Sequence, residues 1–394
     1  MSLRASVAIA VLLWTPASAQ TPPGPPFVLQ SENGDNRLQL GAMVHVDGRF
    51  TVDDPRQDVT DTFLVRRARG IVQGRVARYF DYFVVLDLAN PQVVRDAYFE
   101  TRLATAFRIR AGKGKVPFGL ERLHFVNVLL FAERALPSGL TPDRDVGVQL
   151  LGDLAGGRVS YIGAVMNGAA DGASVDLDTN EGKAVAGRLV VRPWVASATH
   201  PLSGLGLAVA ATTESQSGVL PVFRSGGQQV FFSYSGATPD GRRNRLSPQA
   251  FYYRGPFGGF AEYIRSSGGI RKGAVRREVD HTGWEISGSW VLTGEPATDR
   301  GVRPRASFDP PSRQFGALQL AARVHTLGVG ADAVTLGFAA PGASRKAQAV
   351  TVGANWYLNP FIKWVFNVER TVFDGEGQAR PAENAVLLRG PLSF

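Results

Sequence analysis

Long stretches of two-residue alternation restrict this chain's fold more than any other feature of its sequence. Between Arg37 and Phe50, Leu38, Leu40, Ala42, Val44 and Val46 share one parity; Arg37, Gln39, Met43, His45, Asp47 and Arg49 share the other. A strand sends successive side chains to opposite faces, so one face here is apolar and the other mostly polar. The pattern returns at Trp284, Ile286, Gly288, Trp290 and Leu292, at Leu318, Leu320, Ala322 and Val324, at Val350, Val352, Ala354, Trp356 and Leu358, and at Ile362, Trp364, Phe366 and Val368. Roughly sixteen such segments of about 9 to 14 residues fit between Arg37 and Phe394. That is too long for ordinary soluble strands, whose mode is about five or six residues, and suits tilted membrane strands of about 9–11.

After the first residues no run of apolar side chains is long enough for a helical membrane span, which takes about 18 or more. In lipid, every backbone N–H and C=O must be satisfied within the protein, so a spanning sheet has to close on itself. The predicted fold is therefore all-β, a transmembrane antiparallel barrel of about sixteen strands. Aromatic residues near segment ends (Tyr79-Phe80, Phe251-Tyr252-Tyr253, Trp356-Tyr357, Phe361 and Trp364) fit the interfacial girdles of such a barrel. Tight turns are expected at Arg78-Tyr79-Phe80 and Asn359-Pro360. External loops are expected at Asp53–Asp61, Asp171–Gly182, Ser215–Gly227, Thr293–Ser312 and Asp374–Glu383.

The first nineteen residues read as a cleaved export signal: Arg4, an apolar stretch Ala5–Trp14, and the small-residue site Ala17-Ser18-Ala19. Residues 20–36 read as a Pro-rich leader and 37–394 as the barrel. Such a signal with such a barrel places the protein in the outer membrane of a Gram-negative-type envelope, in contact with its lipid. The chain contains no cysteine, which removes disulfides and thiolate metal sites.

A formal net charge of +9 calls for an anionic partner. In the second alternating segment, Arg67, Arg69, Gln73 and Arg75 share a parity with Phe63 and Val65, and this face is assigned to the lumen. The reason is energetic: an Arg at mid-bilayer on the lipid face costs about 2–4 kcal/mol. Arg66 then falls outward near an interface, or at a bulge. Arg108, Arg110, Arg188 and Arg192 have lumen parity as well. One connection, about residues 114–145, is long and apolar at its centre (Phe125, Val126, Val128, Leu129, Leu130, Phe131), with a short helix expected over Leu123–Ala132. A long loop of this kind is expected to fold inward and narrow a pore. Lys113, Lys115, Arg122, Arg134 and Arg144 flank it or sit on it. Rings of Arg and Lys select anions, and carboxylates such as Asp87, Glu100 and Glu121 are available to neutralise some of them.

Several stretches resemble the phosphate-selective porin O and P family. These are Phe63-Leu64-Val65-Arg66-Arg67-Ala68-Arg69, Asp96-Ala97-Tyr98-Phe99-Glu100, Glu133-Arg134, Asn355-Trp356-Tyr357-Leu358-Asn359-Pro360 and, most specific of all, Gly112-Lys113-Gly114-Lys115-Val116-Pro117-Phe118-Gly119-Leu120-Glu121. The resemblance implies a sixteen-stranded barrel, a homotrimer, an inward third loop and a basic, anion-selective pore. The terminal Phe394 resembles the signal read by barrel-assembly machinery. Arg389-Gly390-Pro391 departs from the family pattern, and the proline removes a donor from the closing strand.

The expected function is passive diffusion of small anions such as phosphate or polyphosphate. The alternative is a structural or adhesive barrel with a plugged lumen. Catalysis finds no support: His45, His124, His200, His281 and His325 form no His-Glu-x-x-His motif, and no Gly-x-Ser-x-Gly elbow or P-loop is present. No cofactor, metal or nucleic acid is expected.

Overall fold

The computed structural model describes residues 27–52, 60–178, 180–197, 199–216, 218–374 and 380–394. The export signal, residues 20–26 and parts of four expected external loops lie outside the described residues. Sixteen long strands run antiparallel in chain order. They are β1 (Arg37–Val52), β2 (Thr62–Val76), β3 (Phe80–Asp87), β4 (Val94–Ala104), β5 (Phe107–Lys115), β6 (Arg144–Leu154), β7 (Val159–Met166) and β8 (Ala184–Val191), followed by β9 (Leu205–Ser215), β10 (Thr238–Arg254), β11 (Phe257–Lys272), β12 (Val275–Val291), β13 (Ala317–Gly328), β14 (Lys346–Tyr357), β15 (Lys363–Asp374) and β16 (Glu383–Ser393). Each pairs with the next, and β16 pairs back onto β1 from Asn384↔Val52 to Ser393↔Met43. The sheet is thus a closed barrel with no free edge. Residues Val28–Gln30, within the expected leader, add a short strand to the start of β1.

The alternation is inverted relative to a soluble protein. On β1, Leu40, Val44 and Val46 are exposed, while His45 and Asp47 are buried; on β13, Leu320 and Val324 are exposed, while Arg323 and His325 are buried. Apolar side chains outside and polar ones inside suit a wall between lipid and an aqueous interior. Pro391 stands opposite His45 in the closing pair, yet the seam is pinned beside it. Arg389 on β16 grips both carboxylate oxygens of Asp47 on β1, at 2.7 and 2.6 Å, and the terminal residue pairs with Ala42 through both backbone groups.

Three local expectations are corrected. On β2, the register slips between His45↔Arg67 and Val46↔Val65, so Arg66 takes the bulged one of its two expected placements, and the faces N-terminal to it are corrected. A bulge reverses parity: Arg67 and Arg69 face inward as expected, but Phe63 and Val65 face outward at 73% and 56% exposure. The connection holding Thr293–Ser312 sits at the tight-turn end, with Ala297 N–H bonded to Gly255 O of the β10–β11 turn. Antiparallel strands reverse at every connection, so the end is set by strand count and not by loop length. Among the girdle aromatics, Tyr79, Phe80 and Trp364 are exposed, but Tyr357 is buried inside.

Candidate functional site

The segment between β5 and β6 crosses the barrel interior. Local backbone demands explain its motif. Gly112 has φ 125°, and a Cβ there would stand 2.3 Å from Ala97 O; Gly119 has φ 78° and would meet Thr141 Cγ2 at 2.6 Å. Both positions require glycine. After Gly119 the chain makes one helical turn, Leu120–Leu123, and later a 3₁₀ turn, Leu136–Leu140. The expected helix over Leu123–Ala132 is therefore displaced to the start of the segment. A carboxylate accepts the free amides of that turn: Glu262 on β11 takes Leu120 N–H at 2.7 Å and Glu121 N–H at 3.2 Å.

Further anchors come from the far wall. Arg323 on β13 bridges Glu121 (3.2 Å) and Glu369 on β15 (3.2 Å). His325 Nδ1 accepts Leu136 N–H at 3.0 Å. Asn367 accepts Ala132 N–H at 2.8 Å, and Lys363 donates to Leu129 O at 2.8 Å. Glu133 gathers Arg49 (3.0 Å), Arg66 (3.3 Å) and Arg389 (3.3 Å). The bulge places Arg66 here, where it meets a buried carboxylate instead of lipid.

Burial pushes the Glu133 carboxyl up, but Arg66, Arg389, Arg49 and Arg67 together pull it further down, to about 2 from an ordinary 4.5. A depressed carboxyl stabilises fully above its ordinary value and loses that stabilisation as pH falls toward the folded value. Amide exchange over residues 126–134, corrected for intrinsic rates, should therefore accelerate between pH 4.5 and 2 while the barrel strands stay protected. Equal protection of the segment across that window would contradict the Glu133 anchor.

The basic residues divide by partner. Arg69 pairs with Asp87 at 2.8 Å, Arg75 with Asp81 at 2.8 Å, and Arg110 with Glu100 at 2.7 Å. Arg108 pairs with Asp153 at 2.8 Å, and Arg144 with Asp96 and Asp143 at 3.0 Å each. Lys113 is ion-paired with Asp176. Arg122 donates to Thr141 Oγ1 at 2.8 Å and lies 3.9 Å from Asp143. Among the described residues Arg67 meets only the His45 ring, at 3.3 Å.

Lys115 and Arg134 are different. Both donate to the carbonyl oxygen of His124, at 2.8 and 3.1 Å, and Lys115 also donates to Leu123 O at 2.9 Å. Arg188 on β8 bonds only Gln249, at 3.0 Å. Among the described residues no carboxylate lies within ion-pair distance of these three, and each is partly exposed. Lys115 and Arg134 meet at the His124 carbonyl oxygen. The His124 imidazole is held near 3, first by burial and then by Lys115, Arg134 and Arg188. Burial and the neighbouring Arg122 lower Arg134 to about 10, so it stays charged at neutral pH. Sequence reading found Lys115 and Arg134 and set Arg188 among the lumen bases. It gave His124 no role; its place beside Phe125 in the one apolar loop was the available signal.

Loops also fill the interior near the long-loop end. Phe118, Leu136 and Leu140 pack with Phe223, Phe231, Phe232 and Phe338 in one buried apolar cluster. An opening of about 350 Å³ is lined by Gln73, Asp81, Phe83, Tyr98, Glu100 and Arg110, among others. No helix among the described residues is long and apolar enough to cross a membrane, and none of their His, Asp and Glu side chains group as metal ligands.

The sequence profile of the family described as phosphate-selective porin O and P matches residues 38–389. No curated protein matches the sequence at a significant level. Solved structures share the fold at low identity. The outer membrane channel DcaP of Acinetobacter baumannii aligns over 93% of this chain and 99% of its own, with 11% identity and a TM-score of 0.60. The anion-selective porin from Comamonas acidovorans aligns over 91% and 100%, at 10% identity and 0.58. OmpT of Vibrio cholerae, in a trimer form, aligns over 91% and 99%, at 9% and 0.55.

Proposed function

Because this chain belongs to the phosphate-selective porin O and P family, we propose that it lets small anions, phosphate among them, diffuse passively through its lumen. Family and fold together make it an outer-membrane porin. One observation supports the step to anion preference: Lys115 and Arg134 meet on the interior segment, and among the described residues neither they nor Arg188 has a carboxylate at ion-pair distance. A cation held directly by Asp or Glu presents little net field, whereas these three have no carboxylate at ion-pair distance among the described residues. Their remaining N–H groups replace part of an anion's hydration. Moderate sites in series, with paired Arg75, Arg108 and Arg110 beyond them, allow the ion to leave again. The segment of residues 116–143 acts as the constriction. Assembly as a homotrimer is part of this proposal; the trimeric form among the structural relatives supports it.

Planar-bilayer recording of the purified full-length protein under a KCl gradient tests the reading. The reversal potential should have the sign of chloride permeation. The apolar cluster of Phe223, Phe231, Phe232 and Phe338 favours the plugged-barrel alternative, and a correctly folded protein with no conductance would establish that instead.

A further inference from the structure

Phe125 is the anomaly of the interior segment. It is 60% exposed, although its neighbours Val126 and Leu129 are buried. An exposed phenyl ring inside a polar channel stabilises nothing by burial. It has company, however. Its ring stands edge-on to Phe83, 6.4 Å between centres, and Phe83 lies 5.4 Å from Tyr98. Arg110 stacks over Tyr98 at 4.4 Å, and the Lys115 ammonium is 5.2 Å from the centre of Phe125. The Lys115–Arg134 pair, with no carboxylate at ion-pair distance among the described residues, therefore adjoins a short row of rings, which leads into the opening lined by Phe83, Tyr98 and Arg110.

The chemistry of that row is selective. The face of a phenyl ring is negative, so an inorganic oxyanion gains nothing from Phe125. A planar aromatic acid gains twice: its carboxylate meets Lys115 and Arg134, while its ring stacks on Phe125. We propose that Phe125, Phe83 and Tyr98 form a subsite for the body of an aromatic carboxylate, so that this channel favours aryl acids over inorganic phosphate. The inference rests on the anion-selective reading and deepens it by naming a substrate class.

Block of the KCl current through the full-length protein in planar bilayers tests it, with benzoate, acetate and phosphate as probes at equal ionic strength. Benzoate should halve the current at about threefold to tenfold lower concentration than acetate, the range expected for one aromatic contact. Phe125→Ala should bring benzoate to acetate's level. Phe125→Leu, which keeps the bulk but not the ring, should do the same. Benzoate blocking no better than acetate in the unaltered protein, or an unchanged benzoate preference in both variants, overturns the aryl subsite. A chloride-signed reversal potential in that preparation leaves the anion channel standing, while a potassium-signed one overturns the underlying reading.

Discussion

Replacing Lys115 and Arg134 together by glutamate should invert the selectivity of the channel. The two side chains share one carbonyl oxygen, that of His124, so they act on a passing ion as a single basic site. A unit charge about 5 Å from an ion contributes roughly 0.8 kcal/mol in water and about 3 kcal/mol at an effective dielectric of 20. Reversing both signs changes the anion-to-cation permeability ratio at least about tenfold on those figures. The reversal potential under a KCl gradient should change sign, and Lys115→Gln with Arg134→Gln should fall between. Because the Debye length is about 10 Å at 0.1 M and about 3 Å at 1 M salt, the effect should fade in concentrated KCl. A double variant that keeps the original sign would move selectivity elsewhere, with Arg188 the next residue to examine.

Glu133→Ala should release the interior segment without opening the barrel. Its carboxylate is the shared partner of Arg49, Arg66 and Arg389. Removing one member of a buried charge network costs about 3–5 kcal/mol, since the remaining charges lose their compensation. The seam itself survives, because Asp47 still holds Arg389 through two hydrogen bonds. The expected result is a folded, heat-modifiable barrel in which trypsin cuts at Arg122 or Arg134, bonds that the unaltered protein protects. Open-channel current noise should rise as the segment moves. A barrel that fails to assemble would show that Glu133 belongs to the closing seam. Resistance to trypsin would show that the Arg323 and His325 anchors suffice.

The wall of this protein is legible residue by residue. Lipid outside and water inside impose a two-residue rhythm, and that rhythm survives in the sequence because parity is a property of neighbours. Where a neighbour relation breaks, the reading slips. At Arg66 a single extra residue reverses the faces of Phe63 and Val65; a bulge there is one of two placements open to Arg66, and parity alone does not choose between them. The end on which residues 293–312 lie follows from the order of strands, so loop composition misleads there.

Sequence alone determined the closed barrel and the inward parity of Arg67 and Arg69. Tertiary structure alone decided which basic residues remain available. Arg389 finds Asp47 at the opposite end of the chain, and Arg323 finds Glu121 across the lumen, whereas among the described residues Lys115, Arg134 and Arg188 bond only neutral oxygens. Strand parity is local and can be counted along the chain. Charge compensation depends on which residues closure of the barrel brings together, and no spacing in the sequence encodes that distance.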